Sequence, residues 1–234
     1  MQSYSYSFFD RENHLFVELP EGVFLVDTGS PISFGTTGSI TFAGEAIALP
    51  ESAGQVDMAT IRKLVVGPCD GLIGMNVLGN HPVRYSYKSR VLSVGENAML
   101  ERGIRVASST LMGVPMIGLR SRGANVRALF DTGAQYGYVL NQGLIDGLTT
   151  TGLIDDYNPM LGEINCDSHV LPYQLLDENG QDVGPLMYET VGFLGSGLAC
   201  ELLGMFGADA IIGWHLLENV DLLMLGDDEI EMIG

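Results

Sequence analysis

The sequence predicts an all-β protein made of two homologous halves. Three observations carry this: short apolar runs broken by Gly, Pro, Asn and Ser, 31 glycines in 234 residues, and one order of motifs that occurs twice. In the first half Val23–Val26 runs into Asp27-Thr28-Gly29-Ser30, and Leu72-Ile73-Gly74 follows later. In the second, Val126–Phe130 runs into Asp131-Thr132-Gly133-Ala134, and Ile211-Ile212-Gly213 follows. One such tripeptide carries little information. The same tripeptide twice, each time after an apolar strand and before two apolar residues and a Gly, is an internal duplication that covers most of the chain.

Taken in order, Ser3–Phe9 alternates polar and apolar residues and reads as a strand with one buried face, placed at the interface of the halves. Leu15–Leu19 and Val23–Val26 form a hairpin across Pro20-Glu21-Gly22, whose second arm delivers Asp27. Ile40–Ala43 and Ala46–Leu49 turn at Gly44-Glu45, and Ala59–Val66 leads to Gly74. Val83–Tyr87 and Arg90–Val94 turn at Lys88-Ser89 and close the half. The division falls between Gly95 and Gly113, giving lobes of 1–98 and 99–234. Val114–Leu119 and Val126–Phe130 then repeat the hairpin that precedes the acid. After Asp131 the copies diverge, because the stretch from acid to downstream glycine is much longer in the second half. It holds a short helix near Asn141–Leu148, a segment at Tyr157–Leu176 that folds back around Gly162, and helical spacing at Leu198–Phe206.

Paired Asp-Thr-Gly turns, each followed by an apolar-apolar-Gly segment, resemble the pepsin and retropepsin superfamily of aspartic proteases, with both lobes fused in one chain as in pepsin. Asp27-Thr28-Gly29-Ser30 has the form typical of pepsins. Asp131-Thr132-Gly133-Ala134 and Pro159-Met160-Leu161-Gly162-Glu163 are more similar to retropepsins. The resemblance implies an all-β fold of two homologous lobes of the pepsin/retropepsin type with the active-site cleft between them. It implies that each Thr hydroxyl bonds to the opposite loop, and that Gly74 and Gly213 let a neighbouring strand pass closely behind each acid. It also implies a β-hairpin flap over the substrate, whose tip falls near Leu161-Gly162-Glu163-Ile164. The first half looks too short to carry a comparable one.

The residues themselves point to the same chemistry. Peptide hydrolysis needs a water made nucleophilic on one side and an amide nitrogen protonated on the other, and one carboxylate beside one carboxylic acid supplies both. Two adjacent aspartates cannot both ionise, so Asp27 and Asp131 would share one proton over a wide pH range. Gly29 and Gly133 permit a backbone in which the following amides turn back toward the carboxylate. A hydroxyl at Ser30 could donate to the outer oxygen of Asp27, a bond that Ala134 cannot supply. The function expected is therefore an aspartic endopeptidase acting on a peptide or protein substrate in extended conformation. A protease-like fold that binds extended peptides without cutting them is the alternative. A glycosidase would need its two carboxyls about 5–10 Å apart.

Composition narrows the partners. With 11 basic and 29 acidic residues the net charge is −18, which repels nucleic acid and anionic membranes. His14, His81, His169 and His215 fall at no metal-ligand spacing, and Cys166 with His169 is two ligands where a site needs three or four, so no metal and no cofactor are expected. Cys69, Cys166 and Cys200 make a disulfide framework improbable, and no apolar segment reaches the length of a membrane span. A cytoplasmic location fits best. Because both acids lie in one chain, a monomer is expected. Trp214, in a strongly apolar run, reads as core.

Overall fold

The computed structural model describes residues 2–158, 162–195, 198–205, 207–226 and 228–233. Nearly every regular element is a strand, as the alternating and β-branched runs require. The first half opens with β1 (Ser3–Arg11), β2 (His14–Leu19) and β3 (Gly22–Val26), a continuous antiparallel meander that ends at Asp27. Gly22, at φ 148°, lets the chain pass the Asp70 carboxylate, which accepts a bond from Val23 N (3.0 Å); a Cβ there would overlap that carboxyl. Short elements follow: β4 (Phe34–Gly35), the hairpin β5 (Ser39–Phe42) and β6 (Glu45–Ala48), and the two-residue pair β7 (Ser52–Ala53) and β8 (Val56–Asp57).

Helix α1 (Met58–Leu64) begins where Asp57 caps it, its carboxylate accepting from Thr60 N at 2.8 Å, and it buries Met58 and Ile61 on one face. β9 (Gly71–Ile73) and α2 (Met75–Leu78) complete the repeat, and β10 (Pro82–Ser86) and β11 (Val91–Gly95) form its last hairpin. The connection to the second half carries β12 (Ile104–Val106).

The second half supplies β13 (Ser108–Leu111), β14 (Val114–Ser121), β15 (Ala124–Phe130) and β16 (Gly137–Val139). The expected helix near Asn141–Leu148 is a single 3-10 turn at Gln142–Leu144, capped by Asn141. Three long antiparallel strands follow: β17 (Thr150–Asn158), β18 (Gly162–Leu176) and β19 (Asp182–Phe193). Then come α3 (Leu198–Met205), β20 (Ala210–Ile212), a 3-10 turn at Trp214–Glu218, β21 (Asp221–Leu225) and β22 (Ile230–Ile233).

The duplication is visible in the pairing. β3 runs parallel to β9 with β4 antiparallel on the far side, and β15 runs parallel to β20 with β16 antiparallel on the far side. The strands form a ten-stranded sheet, in the order β12-β22-β21-β10-β11-β1-β2-β3-β9-β4, and an eight-stranded one, β13-β14-β15-β20-β16-β19-β18-β17, closed by a β14–β18 contact. The sheets do not divide the chain at residue 98. β12, β21 and β22 come from beyond it yet sit in the first sheet, with β21 hydrogen-bonded to β10. The main core accordingly runs through both halves, from Leu15, Val26 and Ile73 to Phe130, Ile212 and Trp214.

Since β10 depends on β21 for its outer partner, a chain stopped after Val220 should leave the ladder from Pro82 to Tyr85 unpaired and the apolar face of the sheet open. By circular dichroism the full chain should melt in one cooperative transition and the shortened chain should show none, rather than a modest fall in its midpoint.

Candidate active site

Each aspartate sits where a parallel strand pair ends. Asp27 N donates to Ile73 O (3.0 Å) and Asp131 N to Ile212 O (2.9 Å), so the last ladder bond of each pair fixes the acid's own backbone. The chain then turns, with Ser30 N reaching Asp27 O (3.4 Å) and Ala134 N reaching Asp131 O (3.1 Å). The two turns meet through their threonines, both fully buried. Thr28 N donates to Thr132 Oγ1 (3.0 Å) while Thr132 N donates to Thr28 Oγ1 (2.9 Å). Each hydroxyl passes its own proton across, Thr28 Oγ1 to Phe130 O (2.6 Å) and Thr132 Oγ1 to Val26 O (2.8 Å).

This clasp brings the carboxyls into contact. Gly29 lies against the Asp131 carboxyl and Gly133 against that of Asp27, and a Cβ on either glycine would overlap the opposing acid. Ser30 N donates to Asp27 Oδ1 and Gly133 N to Asp131 Oδ1, each at 2.9 Å, and the two carboxyls hydrogen-bond to each other. Burial is the largest influence on both and pushes both above the ordinary carboxylate range. The neighbouring Asp131 charge adds to the rise at Asp27, whereas backbone N–H groups pull back at both. The pair therefore holds one proton as a unit. Direct contact also removes the separation that glycoside hydrolysis requires, about 5–10 Å.

Behind each acid the apolar-apolar-Gly segment ends in a held amide. Gly74 N donates to Ser33 Oγ (2.8 Å), and Ser33 is itself oriented by Asn76 Oδ1. Gly213 N donates to Glu189 Oε1 (2.7 Å), with Tyr173 Oη on the other carboxyl oxygen at 3.1 Å. A Cβ at Gly74 would come within 2.5 Å of Ser30 O, and one at Gly213 within 2.8 Å of Ala134 O. The glycines thus allow the strand ends to back directly onto the turns.

In front of the pair is a cavity of about 70 Å³. Leu25, Ile61, Leu64, Val65 and Ile211 give it apolar walls, and Asp156, Tyr157 and Asn158 at the end of β17 lie across them. Tyr138 Oη bonds the Asp156 carboxylate, which ties this strand to β16. His14 borders the same cavity, its Nδ1 3.0 Å from Glu12 O, and burial pushes its pKa down, which favours the uncharged ring.

Asp27, Thr28, Gly29, Asp131, Thr132 and Gly133 thus converge, with Ser30 and Ala134 closing the turns and Gly74 and Gly213 behind them. One expected contact is absent: Ser30 Oγ donates to Ile32 O (2.9 Å) rather than to Asp27, and it is the backbone N–H of Ser30 that meets the carboxylate. The segment expected to fold back on itself at Tyr157–Leu176 is instead the end of β17 and the whole of β18, which pair as a hairpin with Asn158 opposite Gly162. Gly162, Glu163 and Ile164 belong to its returning arm instead of its tip, Ile164 being packed with Val114, Tyr138 and Ile154; Leu161 lies outside the described residues. From the first half it is α1 that reaches the cleft. The sequence signal for it is the Asp57 cap with apolar residues at Met58, Ile61 and Val65. His14, Tyr138 and Asp156 carry no local signal, since only the pairing of distant strands brings them to the acids.

No family model matches the chain, and no curated protein matches it. Among solved structures, the crystal structure of basic 7S globulin from soybean is similar over 99% of this chain and 96% of that one, with a TM-score of 0.54 and 10% sequence identity. At that identity the likeness concerns the fold alone. The fold is the all-β, two-lobed pepsin type that the paired motifs imply. Among the described residues no helix is long and apolar enough to cross a membrane.

Replacing Thr28 with Val removes a hydroxyl that both accepts and donates across the clasp, leaving Thr132 N and Phe130 O without it. The expected cost is about 2–4 kcal/mol, read from urea unfolding, with Thr28→Ser costing much less because it keeps the hydroxyl. The acids generate a second expectation. Both pKa values are raised in the folded chain, so their contribution to stability is fully present below the ordinary value of 3.8 and is lost as pH rises through the folded values. Asp131→Asn should flatten that part of the thermal midpoint's pH dependence.

Proposed function

We propose that the chain is an aspartic endopeptidase that hydrolyses peptide bonds through a water activated by Asp27 and Asp131. The observation that supports this most strongly is the hydrogen-bonded carboxyl pair, held by amide donors at the base of a cleft. In the proposed reaction the ionised carboxyl takes a proton from water as the water oxygen attacks the scissile carbonyl carbon. The protonated carboxyl gives its proton to the carbonyl oxygen. Collapse of the resulting diol breaks the C–N bond as the carboxyl that took the water proton passes it to the nitrogen and the other carboxyl takes the proton of a diol hydroxyl, leaving a carboxylic acid, an amine and a pair that again holds one proton. Neither residue is permanently the acid.

The cleft favours a substrate in extended conformation. The end of β17 lies across it, and an extended peptide can lay its own backbone beside such a strand. The β17 end that borders the cavity would lie over a bound peptide and keep bulk water from the acids. The acting species is a monomer, since one chain contributes both acids.

Asp27→Ala and Asp131→Ala should each abolish cleavage of a peptide library assayed from pH 3 to 8 while leaving the fold intact. The double variant should be no worse, because the acids act as one unit. Activity per mole of the parent should hold on dilution. Appreciable turnover by either single variant would remove the pair from the chemistry, and a folded parent that binds library peptides without cutting them at any pH would make the chain a binding protein.

A further inference from the structure

The two halves repeat their acids but not what stands behind them. In the first, a hydroxyl on Ser33 accepts from Gly74 N, and Asn76 orients it. In the second the corresponding amide, Gly213 N, is held by the carboxyl of Glu189, a residue of β19 that is only 3% exposed. Gly137 on β16 and Gly213 both leave room for this carboxyl, since a Cβ on either would lie 3.0–3.2 Å from Oε1. None of the ion pairs among the described residues includes Glu189. A buried acid in the place of a serine hydroxyl is a costly substitution unless its charge is absent.

We propose that Glu189 is a positioning residue for the second acidic turn: its carboxyl fastens Gly213, and with it the strand end that carries Asp131, so that ionisation of Glu189, which puts an unpaired charge into a buried place, sets an alkaline limit on the site. This rests on the hydrolytic reading of Asp27 and Asp131 only in its last clause. The link to the acid is short. Gly213 follows Ile212, whose carbonyl accepts from Asp131 N, and Gly213 packs against the Ala134 carbonyl of the same turn.

Of what surrounds Glu189, burial and the Glu218 charge favour the uncharged state, while the bonds from Gly213 N and Tyr173 Oη favour the charged one. Tyr173 on β18 meets Oε2, and its hydroxyl can accept from a carboxylic proton or donate to a carboxylate. Burial drives the Tyr173 phenol well up, so it brings no charge. Glu218, on the turn after β20, adds a repelling negative charge, and burial keeps His215 on that turn neutral. β16 contributes only Gly137. Burial, outweighing the bonds from Gly213 and Tyr173, pushes the Glu189 carboxyl up to about 8. With the folded value raised, its contribution to stability is fully present below the ordinary 4.5 and is lost as pH rises through about 8.

The test is a pH titration of the full ¹⁵N-labelled chain from pH 6 to 9.5, following the Gly213 amide by NMR, alongside cleavage of fluorescently labelled denatured casein. The Gly213 amide of the parent should titrate with a midpoint near 8, and the titration should vanish in Glu189→Gln, whose amide oxygen can still accept from Gly213. Turnover of the parent should fall across the same range through kcat rather than KM, with the fall moved to higher pH in Glu189→Gln. A Gly213 amide that does not titrate in the parent, or that titrates alike in Glu189→Gln, overturns the proposal. Should Glu189→Gln not fold, Tyr173→Phe takes its place: it deletes a donor to the carboxylate, so the midpoint should rise, and an unchanged midpoint overturns the proposal. If casein is not cut at any pH the hydrolytic reading fails on its own, while the Gly213 titration still decides the role of Glu189.

Discussion

Everything at the centre of the molecule depends on the exchange of hydrogen bonds between Thr28 and Thr132. Two buried turns from distant parts of the chain would each leave a backbone N–H and an opposing carbonyl unsatisfied. Here each threonine hydroxyl satisfies one of each, in the other half rather than its own. That reciprocity holds two carboxyls in contact against their mutual repulsion. It also accounts for the strictness of the tripeptide, since Thr supplies the crossing bonds and Gly the space for the opposite acid.

Much of this is legible in the amino-acid order itself, and for a physical reason. A strand has period two and a hairpin has a turn, so β2–β3, β5–β6, β10–β11 and β14–β15 are written locally, and a duplicated motif shows itself as a repeat. Contacts that join distant segments are not written locally. Nothing near Asp221–Ile233 says that its strands complete the first sheet, and nothing near Glu189 says that it ends behind Gly213. The Ser30 side chain illustrates a third case. Its residue type allows a bond to the acid, but which neighbour the hydroxyl takes is decided by the turn geometry, and here it is the Ile32 carbonyl.

The halves are equal in what touches the proposed chemistry and unequal one layer out. Ser33 with Asn76 and Glu189 with Tyr173 do the same geometric task with different acidities. The same inequality appears in front, where α1 borders one side of the cleft and the end of the longer β17–β18 hairpin the other. The duplicated fold keeps its symmetry where both copies meet and loses it away from that contact, behind the acids as well as in front of them.

The placement of β21 and β22 in the first sheet has a consequence for synthesis. A ribosome delivers the Asp27 turn early and the strand that flanks β10 much later, so the first lobe cannot close around its own motif while the intervening residues are still being added. The first sheet is complete only when Asp221–Ile233 has emerged and β21 has been laid beside β10. The opening segments therefore wait on a partner made much later, and the order in which the sheet closes is set by long-range pairing rather than by the order of synthesis.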